Sequence, residues 1–238
     1  PRSSRPRPDA RTPTPCTVDL PFRPDRLTCD CIRERLSPDL CRGAQAAELT
    51  FSEAAERAAG PVYPAAVLLP LYRLNGAWHL VYIRRAEHRH DRHSGEVSFP
   101  GGCRQPVDPD CTSTALREAQ EEIGLVPEQV LVLGRLRALR TISRFLVTPV
   151  VGCLTWPQPL VPDPREVSRI FSIPLAWLAN QSHHQVRTYP APDHPEAREV
   201  IFFNEYDGER LWGVTAHITL DFIHCLARAA EYPAASAG

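Results

Sequence analysis

The chain reads as an α+β domain whose mixed β-sheet is covered by helices, and three observations point there. Segments rich in β-branched and aromatic residues dominate from residue 64 onward. The first two, PAAVLLPLYRL and AWHLVYIRR, are joined by Asn75-Gly76, a dipeptide that favours a tight hairpin turn. Helical stretches are few and do not alternate regularly with the strands, which argues against a simply wound parallel sheet.

Each element follows from its local sequence. Residues 1–24 are rich in Pro and Arg and lack apolar periodicity, which predicts a poorly ordered arm. Asp25 to Leu36 and Ser52 to Ala59 each predict a short helix, the second opening on a Ser cap. Residues 1–60 are therefore expected to be a partly disordered N-terminal extension with short helices, residues 61–232 the main domain, and residues 233–238 a disordered tail. Within the domain, VLVLGRLRAL, RFLVTPVVGCL, EVSRIFSI and REVIFFNEY predict further strands. PLAWLAN predicts a short helix opening on Pro174, and Val214 to Ala230 spaces its apolar residues as a packed helix does.

Composition narrows the chemistry. At 238 residues the chain suits one domain with a well-buried core. A formal charge of -1 gives no electrostatic basis for a nucleic-acid or membrane partner, so a small molecule is expected, with a homodimer left open. All 27 basic residues are Arg, which excludes a lysine Schiff base and the lysine of a phosphate-binding P-loop. The eight cysteines contain no CxxC pair, and Cys16, Cys29, Cys31 and Cys41 do not match zinc-ligand spacing. Free thiols are expected. No export segment and no apolar run long enough to span a bilayer is visible, so a cytoplasmic location is expected.

The stretch from Ser98 to Leu125, SFPGGCRQPVDPDCTSTALREAQEEIGL, concentrates the chemistry. Asp110 or Thr112 is placed to cap a helix that ends at Gly124. Ala115, Leu116, Ala119 and Ile123 supply its apolar stripe, whereas Glu118, Glu121 and Glu122 lie at i, i+3 and i+4, within reach of one point. Like charges so placed repel, and acids near a helix C-terminus oppose its dipole. A hard divalent cation relieves both penalties, Mg²⁺ in particular accepting one or two carboxylates and completing its shell with waters and phosphates. Arg117 is placed to pair with Glu121. Gly101 and Gly102 let backbone approach a ligand closely. A solvated acidic helix face is the competing explanation; the longer pattern weighs against it.

With these residues in view, the chain resembles the Nudix hydrolases, whose box is written Gx5Ex7REUxEExGU. Arg117 to Leu125, REAQEEIGL, matches its second half. The first half departs: Gly102 is followed by five residues and then Asp108 in place of Glu, and eight residues in place of seven separate Asp108 from Arg117. The longer variant resembles the coenzyme A diphosphatase branch, as do Arg85-Ala86, Gly95 and FPGG at Phe99 to Gly102. EVSRIFSIPLAWL from Glu166 and LWGVTA from Leu211 resemble later elements of that branch.

The resemblance covers about residues 61–230. It implies an α/β/α sandwich and hydrolysis of coenzyme A or acyl-CoA to 3',5'-ADP and (acyl-)4'-phosphopantetheine with Mg²⁺ or Mn²⁺. Glu118 and Glu122 are then the principal metal ligands, and Glu121 is a third ligand or the base that deprotonates water. Glu166 is either a general base from beyond the box or a salt-bridge or cap residue. Gly101, Gly102, Phe99, Arg85 and Arg92 are the expected substrate contacts; the Arg84 to His93 run can grip phosphates or be a solvated loop.

Two other functions stay open: action on another nucleotide such as ADP-ribose or a dinucleotide, and a catalytically idle binding module. The SQPWPFPxS motif of NADH-type members is absent, and Ala138 to Arg144 lacks the Pro or Tyr common in ADP-ribose and diadenosine-polyphosphate members. The presence of Arg117 and all three box glutamates argues against an idle module.

Overall fold

The structure, a computed structural model, describes residues 23–36, 61–87, 94–189 and 198–228. The arm at residues 1–22, the Ser52 to Ala59 helix, Arg92 with the rest of 88–93, and the tail at 233–238 lie outside the described residues. The segment from Asp25 to Leu36 folds as a single 3-10 turn, Pro24–Arg26, and helix α1, Cys29–Arg35.

Ten strands follow among the described residues: β1 Tyr63–Leu74, β2 Ala77–Arg85, β3 Val97–Ser98, β4 Gly101–Cys103, β5 Val130–Arg135, β6 Leu139–Arg140, β7 Phe145–Leu154, β8 Val167–Pro174, β9 His184–Tyr189 and β10 Arg198–Phe203. Between them lie helices α2, Cys111–Ile123, and α3, Leu175–Leu178; α4, Gly213–Arg228, follows the last strand. No described helix is long and apolar enough to cross a membrane.

Asn75 and Gly76 both take positive φ, 51° and 87°, as a tight hairpin between β1 and β2 requires. The main sheet runs β3-β2-β1-β7-β5, with β4 beside β1, β6 beside β7 and β8 beside β2. It is mixed: β1 and β7 are parallel, whereas its other strand pairs are antiparallel. β9 and β10 form a separate ribbon.

Strand β1 organises the sheet. One edge pairs along its length with β7, while the other serves β4 at residues 65–67 and β2 at residues 71–74. Pro70 falls in the gap between those two registers, so its missing N–H removes no ladder bond.

Because β1 is covered on both faces, it reads as an apolar run rather than an alternation. Ala66 and Leu68 pack with Ala115, Ala119 and Ile123 of α2, and Ala65, Leu69 and Leu71 pack with Ile218, Phe222 and Leu226 of α4. Two apolar cores on opposite faces of one sheet make the three-layer α/β/α arrangement.

The second core includes Leu27, Ile32 and Leu36, so the described part of the N-terminal segment is integral to the domain's packing. On this face the Tyr82 hydroxyl lies 3.0 Å from Thr219 Oγ1, which donates to Thr215 O at 2.8 Å, and Thr215 Oγ1 donates to Val97 O at 3.0 Å. That chain ties α4 to β3, the strand leading into the glycine loop.

Candidate active site

The site forms where β4 lies against α2. A Cβ on Gly101 would fall 2.4 Å from Ala66 O, and one on Gly102 would fall 2.7 Å from the Glu118 carboxylate. At Gly101, where the neighbours are β1 backbone and φ is 155°, only glycine fits. Helix α2 begins at Asp110, whose side chain accepts from Ser113 N, and ends at Gly124 with φ 64°. Of the two caps compatible with the sequence, Asp110 is the one used.

The helix phase sorts the three acids. Glu118 and Glu122, one turn apart, face the sheet, and Glu122 is only 2% exposed and accepts the Gly101 N–H at 2.9 Å. The Glu121 side chain is 54% exposed and is held by Arg117 Nη1 at 2.9 Å. Glu121 and Glu118 still meet at one atom, Arg117 Nη1, 2.9 Å from each, while Glu122 is turned to the Gly101 N–H. A helix advances about 100° per residue, so Glu121 sits about 60° round from Glu118 on the solvent side. Among the described residues no three His, Cys, Asp or Glu side chains stand close enough to hold a metal ion together.

Burial pushes the Glu122 carboxyl up to about 8; the Gly101 N–H and Arg85 oppose this, while the charges of Glu118 and Glu166 add to it. Burial also raises Glu118, against the pull of Arg117. Both carboxylates thus sit beside other negative charge, Glu118 and Glu166 for Glu122, and Glu121 and Glu166 for Glu118. An all-oxygen donor set under that strain fits a hard divalent cation, which favours the charged form of both.

Arg117 is the hub. It forks onto Asp108 with Nε to Oδ1 at 3.0 Å and Nη2 to Oδ2 at 2.9 Å, donates to Cys103 O at 3.1 Å, and lies 2.9 Å from Glu118 Oε1. Asp108, 4% exposed, also accepts from Gln105 N at 2.8 Å and Thr114 Oγ1 at 3.1 Å. The Arg117 guanidinium holds this carboxyl well below the usual carboxylate range. Arg104 braces the loop by donating to Asp108 O and Pro109 O. The departure noted in the sequence, a shorter acid with one extra residue, accompanies a self-bonded loop that delivers Asp108 to Arg117.

The remaining expected residues divide. Arg85 lies near enough to Glu122 to lower its pKa, and Glu166 near enough to Glu118 and Glu122 to raise both. Arg84 takes another partner, Glu209, at 3.7 Å. Phe99 does not face the loop's ligand side: it is 3% exposed and stacks on Tyr82 in the α4-side core, with ring centroids 4.6 Å apart. Strand alternation turns Phe99 inward and leaves its neighbour on the other face. That neighbour, Ser98, was not singled out in the sequence; its hydroxyl is buried with no hydrogen-bond partner among the described residues. Only the pairing of Ser98 with Ile83, itself in the α2-side core, reveals its face.

The NUDIX domain model matches residues 62–192. The Nudix hydrolase NudL of Pectobacterium atrosepticum is 38% identical over 164 residues, covering 68% of this chain and 80% of that protein. The human mitochondrial coenzyme A diphosphatase NUDT8 is 37% identical over 172 residues, covering 71% of this chain and 72% of its own length. Among solved structures, the Nudix hydrolase RenU of M. smegmatis aligns with a TM-score of 0.42 at 22% identity, over 50% of this chain and 75% of that one. With the family model covering more than half of the chain, and relatives this similar matched over most of their length, this chain belongs to the Nudix hydrolases, enzymes that act on pyrophosphate bonds.

Proposed function

We propose that the protein hydrolyses the diphosphate bond of coenzyme A or acyl-CoA, releasing 3',5'-ADP and (acyl-)4'-phosphopantetheine, with Mg²⁺ or Mn²⁺ as the cation. The observation carrying the diphosphate chemistry is the Gly101–Gly102 backbone laid directly against half-buried Glu118 and buried Glu122. Coenzyme A as the substrate is supported by the similarity to NUDT8, named a coenzyme A diphosphatase, and by FPGG and LWGVTA in this chain.

In this reading Glu118 and Glu122 hold the cation, which when bound neutralises phosphate charge and lowers the pKa of the attacking water. Gly101 and Gly102 let the diphosphate lie against the strand, and Arg85 meets its negative charge. Glu166, close to both Glu118 and Glu122, takes the proton from water; Glu121 is the alternative base. Arg117 is a positioning residue that orients Glu118 and Glu121 while anchored on Asp108.

Gly102→Ala tests the loop. Its methyl group would displace the Glu118 carboxylate, the flexible end of a side chain, so kcat falls about 10–100-fold with little change in thermal stability. Unchanged kcat would remove the requirement for close approach. Substrate class is tested by incubating the protein with Mg²⁺ and coenzyme A, acyl-CoA, NADH, ADP-ribose and dinucleoside polyphosphates, and identifying the products by mass. Cleavage of coenzyme A to the two named products is expected to lead the panel. Inactivity on it beside rapid ADP-ribose cleavage would transfer the assignment to ADP-ribose.

A further inference from the structure

The N-terminal segment is fastened to the domain by specific contacts. Trp78 Nε1 donates to Leu27 O at 2.9 Å, Arg73 Nη2 to Asp25 O at 2.8 Å, and Arg35 Nη1 to Leu226 O. Gly134 of β5 lacks a side chain where Leu36 seats; a Cβ there would lie 2.9 Å from Leu36 Cβ. These contacts fix both ends of α1 against the face shared with α4. Between them, Cys29 at the start of α1 points at Cys153 on β7, with the sulphurs 3.0 Å apart across 124 residues of sequence. Both are half-buried free thiols.

Two sulphurs this close need only about 1 Å of further approach to reach disulfide bonding distance. We infer that Cys29 and Cys153 form a peroxide-reactive dithiol, closing to an intramolecular disulfide that locks the N-terminal segment onto the sheet. The step balances as two thiols and one hydrogen peroxide giving one disulfide and two waters. The Cys29 sulphur attacks the peroxide, breaking the O–O bond, to become a sulfenic acid with release of water. The Cys153 sulphur then attacks that sulfenic sulphur, and the hydroxyl leaves as a second water with the Cys153 proton.

The order follows from the surroundings of the two groups: burial and the neighbouring Cys29 push the Cys153 thiol up to about 12, so it resolves rather than initiates. Cys31 competes for the oxidant, because hydrogen bonding with Thr28 lowers its thiol pKa. The locked segment, residues 23–36, lies outside the region 62–192 matched by the family model, whereas Cys153 lies inside it.

The test uses the full chain treated with hydrogen peroxide, then alkylated and digested with trypsin. Leu27 to Arg33 (LTCDCIR) and Phe145 to Arg165 (FLVTPVVGCLTWPQPLVPDPR) should appear joined with the loss of two hydrogens, and separate after dithiothreitol. Because the first peptide carries both Cys29 and Cys31, the crosslink should survive Cys31→Ser and vanish in Cys29→Ser. Recovery of Cys29 and Cys153 as separately alkylated residues after peroxide, or a crosslink that persists in Cys29→Ser, would overturn the inference. Neither result depends on the substrate of the enzyme.

Discussion

Glu122→Gln and Glu118→Gln are each expected to lower kcat by about 10²–10⁴-fold while leaving the fold intact. The two effects separate because of how Glu122 is held. Its carboxyl, pushed up to about 8, carries a proton at neutral pH in the metal-free protein, so the amide replaces a neutral acid of the same shape. The Gln carbonyl can still accept the Gly101 N–H. What is lost is the ability to become an anionic oxygen donor when a cation arrives.

The same shift gives a pH signature. The native state keeps a proton on Glu122 that the unfolded chain has released, so the stability of the metal-free wild type declines as pH rises from about 4.5 to about 8. Glu122→Gln should flatten that decline. Steady-state kinetics beside thermal melts across this range check both parts, and wild-type turnover in either variant would reject the metal-site assignment.

Asp108→Asn is expected to be the most damaging change to stability near the site, by about 2–3 kcal/mol, and to reduce kcat through Arg117. The acid accepts two bonds from Arg117, one from the Gln105 backbone and one from Thr114, and an amide presents a donor where one of those acceptors was. Arg117 then lacks the anchor that aims it at Glu118 and Glu121.

Asp108 also sets a pH dependence of opposite sign to that of Glu122. Its pKa is depressed by folding, so its contribution is complete above the ordinary carboxylate range and is lost as pH falls from that range through the depressed folded value. Chemical denaturation of Asp108→Asn at neutral pH and in acid should show its deficit shrinking in acid. A deficit independent of pH would show that the Asp108 charge is not what holds Arg117.

Legibility in the sequence followed the range of the interactions. The Asn75-Gly76 hairpin, the caps at Asp110 and Gly124, and the Pro174 helix start are set by neighbours a few residues away, and the strands that read as long apolar runs were visible for the same reason. β3 and β4 escaped notice because two or three residues beside glycines carry no period. β9, HQVRTY, is mostly exposed in a two-stranded ribbon and lacks an apolar alternation to announce it. Phe99 was expected beside substrate because it adjoins the glycine pair, but a strand sends successive residues to opposite faces. Arg84 and Arg85 pose the same two-way choice.

The sequence by itself determined which groups this protein carries and in what order: an acid triplet spaced for one helix, an arginine before it, a glycine pair upstream, and the caps that begin and end the helix. Those depend on local geometry and are written in adjacent residues. Only the tertiary structure decided which acids share an environment. Packing of Ala115, Ala119 and Ile123 on β1 fixes the phase of α2, which buries Glu122, half-buries Glu118 and leaves Glu121 exposed beside Arg117. The bonds that make this a site, Glu122 to Gly101 and Arg117 to Asp108, join positions 21 and 9 residues apart. Their strength comes from burial and directed pairing, and a linear sequence expresses neither until the sheet brings the two segments together.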